Sequence, residues 1–168
     1  MERAVLGLGS NRPFGAMSPK DLVSAALQDL GAVLSDIRVS GLYTSAALHL
    51  TRQAAFINAA CCGFYSGSPE ALLAETQDIE ARYGRMRERE ERWGPRTLDI
   101  DLLLFGSRIV SLPHLCIPHP RLKERRFALQ PLAELLPLAR DPESGALYGG
   151  LLEQLQDQQV EPLADRLN

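Results

Sequence analysis

Two aspartates and a set of arginines are the residues best placed to do chemistry. Asp99 and Asp101 stand two apart in LDIDLLLF, a stretch otherwise fit for a core. Along a strand alternate side chains share a face, so the two carboxylates point the same way and Leu98, Ile100 and Leu102 the other. A buried carboxylate without a partner is costly, so the pair calls for a cation or a full set of donors. Magnesium suits it, because it takes one or two carboxylates and leaves its other positions to water and phosphate oxygens. Two aspartates on a solvent face are the ordinary explanation of such a pair, and the arginines weigh against it. Six fall between Arg82 and Arg96, and Arg121, Arg125 and Arg126 follow, while Lys20 and Lys123 are the only lysines. Guanidinium makes planar, bidentate grips on phosphate, and a divalent cation beside several of them meets the needs of a polyphosphate. Interleaved Glu88, Glu90 and Glu91 allow the plainer reading of a solvated, salt-bridged surface.

Other polar and aromatic residues fit the same chemistry. Gln77 and Glu80 lie three apart on a helical pattern and share a face. Trp93, the sole tryptophan, sits in the arginine-rich loop, where it could pack or could stack on a flat ring. Phe56 and Asn58 share one strand face and together could hold a heterocycle by stacking and by donor and acceptor pairing. His119 lies between Pro118 and Pro120, either as a turn residue or as a phosphate ligand beside Arg121 and Arg125. A Walker-type G-x-x-x-x-G-K-[ST] loop is absent, and the G-x-G-S-N at 7–11 is not a dinucleotide fingerprint. Any nucleotide must therefore be held by arginines and magnesium.

These residues need elements to position them. AVLGLGS reads as a first strand, Ala4 to Gly9. Ser18-Pro19 reads as an N-cap and first helical residue, followed by helical spacing of Leu22, Ala25, Ala26, Leu30 and Val33. Ile37 to Tyr43 reads as a short alternating strand, 46–54 as a loop, and Phe56 to Tyr65 as a central strand. A second helix runs from Pro69 to Tyr83, and 86–96, with Gly94-Pro95, as a loop. A strand over Leu98 to Phe105 is expected to pair as a hairpin with 108–112. Arg126 to Leu136 is a short helix, and 150–168 a helical or loose tail without visible chemistry. The order β-α-β-β-α-β predicts an α+β fold, a ferredoxin-like sandwich with an antiparallel sheet and additional C-terminal elements.

The chain has 168 residues, 45% of them hydrophobic and 23% charged, which predicts one domain with a real core. A net charge of −3 gives no support for nucleic-acid binding. No apolar run reaches membrane-spanning length and the N-terminus lacks a signal-peptide pattern, so the expectation is a cytoplasmic protein without membrane contact. Cys61, Cys62 and Cys116 read as reduced, mostly buried thiols, the adjacent pair facing opposite ways.

Longer blocks carry a family resemblance. LGLGSN at 6–11, FINAA at 56–60, TQDIE at 76–80, GRMR at 84–87, RWGPRTLDIDLLLFG at 92–106 and IPHPRLKERRF at 117–127 resemble 6-hydroxymethyl-7,8-dihydropterin pyrophosphokinase of folate biosynthesis. The resemblance covers about residues 3–140 of a single domain spanning 1–168, and leaves 141–168 as a C-terminal extension. It implies a ferredoxin-like fold and transfer of diphosphate from ATP to the hydroxymethyl oxygen of the pterin, releasing AMP. It also implies two Mg2+ ions on Asp99 and Asp101, and a pterin site of Ser45, Leu48, Phe56, Asn58, Trp93, Asp99 and Phe127. On the ATP side it implies Gln77, Glu80, Arg85, Arg87, Arg92, Arg96, His119 and Arg125, with Arg85 and Arg92 closing late as catalytic groups. The partners implied are these two small molecules, with the chain a monomer. Ser45-Ala46-Ala47 departs from the family pattern, which has prolines here, and the loop length leaves Arg87 and Arg89 interchangeable. A nucleotidyltransferase would want a Gly-Ser pair leading into a helix and a third carboxylate, and no clear third one stands beyond Glu80; an RNA-binding module would want a K/R-G-F-x-F pattern, which is absent.

Overall fold

Glu2–Ser10 (β1) is the strand on which the fold is assembled. The computed structural model describes residues 1–47, 53–87 and 94–164. β1 pairs antiparallel on one side with β4 (Phe56–Tyr65) and on the other with β5 (Asp99–Phe105). β4 in turn pairs antiparallel with two short strands, β2 (Ser35–Val39) and β3 (Tyr43–Ser45). The single strand expected over 37–43 is thus two strands. Ser40 breaks the run, since its backbone N–H and its hydroxyl both bond the backbone of Ala60. The last strand, β8 (Val160–Pro162), adds to β3 and completes a six-stranded sheet.

Alternation divides the sheet into two faces. Ala4, Leu6, Leu8, Ala59, Cys61, Ile100 and Leu102 pack against helices α1 (Pro19–Val33) and α2 (Pro69–Arg82). Ser18 caps α1 in a reciprocal capping box with Asp21, and Ser68 caps α2 through the N–H of Ala71. On the other face Val5, Ala60, Cys62, Leu103 and Leu104 pack under α3 (Arg126–Leu135) and Tyr148 of the short α4 (Tyr148–Leu151). Cys61 and Cys62 fall on opposite faces, as alternation requires. Cys116 is exposed, against the expectation of burial, because it projects from the two-stranded hairpin described next.

Two expectations are corrected. β5 does not form a hairpin with 108–112. Instead β6 (Val110–Leu112) pairs with β7 (Leu115–Ile117), because Pro113-His114 supplies a tight turn of its own, and β5 stays the end strand of its sheet, paired with β1. The segment after 150 is not a tail but supplies β8 and a 3-10 turn, Leu152–Leu155. No helix among the described residues is long and apolar enough to cross a membrane.

Candidate active site

α3 covers only part of its face of the sheet, and the remainder is the floor of a cavity. Gly7 and Gly9 of β1 form the middle of that floor. Gly9 lies opposite Asp99 on one side and Asn58 on the other, and Gly7 opposite Asp101 and Ala60. Added at Gly9, a Cβ would stand 3.5 Å from Asn58 Oδ1 and 3.7 Å from the Phe56 ring. The glycines therefore keep open the space between the aspartates of β5 and the Phe56/Asn58 pair of β4. Ser45, Gln53, Arg96, Arg125 and Phe127 complete the wall.

Asn58 is buried and turned by its neighbour, its Nδ2 donating to Ser45 Oγ at 2.8 Å. Phe127 stands at the first turn of α3, and the Arg125 guanidinium carbon lies 5.5 Å from its ring centre. Ser45, Phe56, Asn58 and Phe127 thus meet the two aspartates in one cavity, with Ala46 and Ala47 in its wall.

The charges form a chain behind the floor. Glu80, on the last turn of α2, is 1% exposed. Its Oε1 lies 2.5 Å from Arg85 Nη1 and accepts the Ile100 N–H at 2.7 Å, and its Oε2 lies 2.5 Å from Arg87 Nη2. Arg85 also bonds Asp99 Oδ1, and Arg96 Nη1 takes Asp99 Oδ2 at 2.5 Å. Burial acts to raise the Asp99 carboxyl, but Arg85 and Arg96 outweigh it and hold it below the usual range. The neighbouring Asp101 goes the other way. Burial, then the charge of Asp99, pushes it up to about 7; Arg125 stands off at 3.5 Å, and the His119 ring lies 3.8 Å away. Burial, then Arg125 and Arg121, lowers His119 to about 4. The His119 ring is therefore neutral at pH 7. Its Nδ1 accepts the Arg121 N–H at 3.2 Å, which leaves the proton on Nε2, toward Asp101.

Gln77 is exposed on α2 and does not line the cavity, while Glu80, its partner on the helix, lies beneath Arg85. Leu48, Arg92 and Trp93, and the alternative Arg89, lie outside the described residues. Two residues that sequence reasoning passed over hold the site together. Ser10 donates to Thr97 O at 2.5 Å. Asn11 Oδ1 accepts the Arg96 N–H at 2.8 Å, and its Nδ2 donates to Gln53 Oε1 at 3.0 Å and Ala54 O at 3.1 Å. A single buried amide thus joins the segments on either side of the cavity mouth. The Ser-Asn pair at the end of LGLGSN was visible in sequence, but partners 42 and 85 positions away were not. α2 leaves through Gly84, at φ +81°, where a Cβ would strike the Phe14 ring.

The sequence model of the 7,8-dihydro-6-hydroxymethylpterin-pyrophosphokinase (HPPK) family matches residues 5–137. The chain belongs to this family. A 2-amino-4-hydroxy-6-hydroxymethyldihydropteridine pyrophosphokinase of Synechocystis is 39% identical over 166 residues, covering 98% of this chain and 82% of the relative. One of Pseudomonas aeruginosa is 40% identical over 146 residues, covering 85% of this chain and 86% of that relative. Among solved structures, a Plasmodium falciparum HPPK-DHPS matches 91% of this chain with a TM-score of 0.71 at 14% identity. That likeness bears out the ferredoxin-like fold. The pyrophosphokinase chain described here spans less than half of the Plasmodium protein, 45% of its length.

Proposed function

We propose that this pyrophosphokinase transfers the β,γ-diphosphoryl group of ATP to 6-hydroxymethyl-7,8-dihydropterin, giving AMP and the pterin diphosphate ester, a step of folate biosynthesis. The observation that carries the reading is the placement of Asp99 and Asp101 across a glycine floor from Phe56 and Asn58, with arginines behind and beside them. A flat heterocycle stacked between Phe56 and Phe127, its edge read by Asn58, would present a substituent to the two aspartates. Trp93 and Leu48 are assigned to the same pocket on the family pattern.

The donor set suits magnesium. Among the described residues no group of three or more His, Cys, Asp and Glu side chains forms a closed metal site. Two carboxylates with no third leave room for phosphate oxygens and water, as magnesium prefers. The raised Asp101 carboxyl beside the ionised Asp99 marks a repulsion that a cation would relieve. Magnesium bound there, as two ions, would neutralise phosphate charge and polarise the attacking hydroxyl.

The chain's own residues do the rest. Ser45 turns Asn58 toward the ring, and Phe56 and Phe127 fix the ring plane. Arg96, Arg125 and neutral His119 surround the carboxylates and receive the phosphates, with Arg85 and Arg87 as further guanidiniums on that side and Arg92 assigned to it on the family pattern. Gln77 belongs to the ATP side on the family pattern. Arg85 is held by Glu80 and Asp99, so its delivery to phosphate requires release from Asp99, which suits a group acting late in closure. In-line displacement at the β-phosphorus asks for positioning and charge neutralisation rather than a covalent intermediate. The chain acts as a monomer, with no nucleic-acid or membrane partner, in the cytoplasm.

The test is product analysis with ATP, magnesium and 6-hydroxymethyl-7,8-dihydropterin. AMP formed only when the pterin is present is the expected result. ADP would mean single phosphoryl transfer and would overturn the reading.

A further inference from the structure

The family match ends at residue 137, yet the chain beyond it touches both walls of the cavity. One wall is β3, which carries Ser45. β8 lies along it, with Ser45 opposite Val160 and Tyr43 opposite Pro162, and Leu163 N–H bonds Leu42 O at 2.8 Å. The other wall is the start of α3, which carries Arg125 and Phe127. Arg125, the N-cap residue, makes no capping bond with its side chain. The cap comes from 32 positions away. Gln158 Oε1 accepts the Arg126 N–H at 2.9 Å, and its Nε2 donates to Glu124 O at 2.8 Å. Arg126 Nη1 reaches back to Leu155 O at 3.4 Å and Gln158 O at 3.5 Å. Gln158 and Val160 are two residues apart, so the two attachments cannot move independently.

We propose that residues 155–163 are a clamp that sets the spacing between the Ser45 wall and the Phe127 wall, with Gln158 as its positioning residue. The other end of α3 is already tied to the same region of the sheet, since Glu134 accepts the Gly41 N–H at 3.1 Å and the Tyr43 hydroxyl at 2.7 Å. Glu134 and Gln158 thus hold α3 at two points. The end nearest the cavity depends on a residue outside the matched region. An unmet helix-start N–H is satisfied only by such a partner or by water. Loss of Gln158 therefore frees the turn that aims Phe127 at the ring, and loosens β8 on β3 with it. The clamp's effect on substrate rests on the function proposed above; the clamp itself does not.

The test uses the full chain with Gln158→Ala, Gln158→Glu, and Ser18→Ala as a matched loss of a helix cap remote from the cavity. Two readouts are taken: amide hydrogen exchange over 42–47 and 124–130, and the dissociation constant for 6-hydroxymethyl-7,8-dihydropterin. Gln158→Ala is expected to speed exchange in both segments and weaken pterin binding about five- to tenfold, the scale of one lost cap. Gln158→Glu keeps an acceptor for the Arg126 N–H and should recover part of both effects. Ser18→Ala should lose similar stability and leave both readouts unchanged. Faster exchange in 124–130 alone, with 42–47 as in the parent, would overturn the clamp. So would pterin binding no weaker than in Ser18→Ala while the parent binds the pterin. If the parent neither binds the pterin nor forms AMP, the proposed function falls, and the exchange data still decide the clamp.

Discussion

Glu80 Oε1 and Arg85 Nη1 lie 2.5 Å apart with almost no access to water, their side chains 1% and 5% exposed. This pair is a support for the site. Glu80 also takes Arg87 and the Ile100 N–H, so it joins α2 to the first residues of β5. Removing one partner of a buried pair leaves the other uncompensated, at about 3–5 kcal/mol. Glu80→Ala is therefore expected to destabilise the protein by that order, read from the urea midpoint of unfolding. A variant that unfolds like the parent, with only its KM for ATP raised, would instead make Glu80 a direct nucleotide contact.

Asp101 should behave in the opposite way. Its carboxyl is raised by burial and by Asp99, with the Arg125 guanidinium 3.5 Å away and the neutral His119 ring at 3.8 Å. It costs the protein stability in the absence of a cation. Asp101→Asn should unfold no earlier than the parent, while turnover falls by roughly two to three orders of magnitude, the scale of losing one preorganised electrostatic group. Turnover near that of the parent in magnesium would remove Asp101 from metal binding.

The aspartate pair was legible in sequence because strand alternation is a local rule. Asp99 and Asp101 need only lie on one strand to share a face, and they do. β4 was legible over its whole length because a ten-residue, largely apolar run ends at Ser66-Gly67, where turn residues stop it. Partner choice was not legible. Nothing in Arg108-Ile109-Val110 says whether it will pair with β5 or with 115–117, since both lie within hairpin reach along the chain. Val160-Glu161-Pro162 is too short to show alternation, and becomes a strand because β3 offers it an edge. Glu80 is assigned to the ATP side on the family pattern, and its burial was not legible because charge on a helix is ordinarily solvent-facing. Its burial is set by two arginines that follow the helix.

Gly9 separates the floor of the site from the stability of the sheet. Its backbone is ordinary strand, and a Cβ there would meet Asn58 Oδ1 and the Phe56 ring at van der Waals distance, so β1 can accept alanine without strain. The methyl group would nevertheless occupy the space beneath the ring. One carbon in a fitted pocket changes discrimination by about 10- to 200-fold. Gly9→Ala is expected to raise the KM for the pterin by at least about tenfold within that range, with unfolding unchanged or slightly later. Steady-state kinetics at saturating ATP check it; an unchanged pterin KM would move the heterocycle off this floor.

Asp141 gives the fold a pH dependence of known sign. It is 1% exposed, and its Oδ2 takes Lys123 Nζ at 2.5 Å and the hydroxyl of Ser144 at 2.5 Å, while Oδ1 accepts from Tyr148 at 3.3 Å. Burial acts to raise its pKa, but the hydrogen bonds from Lys123 and Ser144 outweigh burial and bring it from 3.8 to about 2. A carboxyl depressed on folding stabilises the native state fully above its unfolded value, and that contribution is lost as pH falls toward the folded value. The window therefore runs from about pH 4 down to about 2. Asp141→Asn should be less stable than the parent at pH 7, and the gap should close through this window, because protonation does to the parent what the substitution did to the variant. Urea midpoints from pH 2 to pH 7 decide it. A gap that stays constant with pH would mean that Asp141 holds the C-terminal elements by packing and neutral hydrogen bonds, and that its charge contributes nothing.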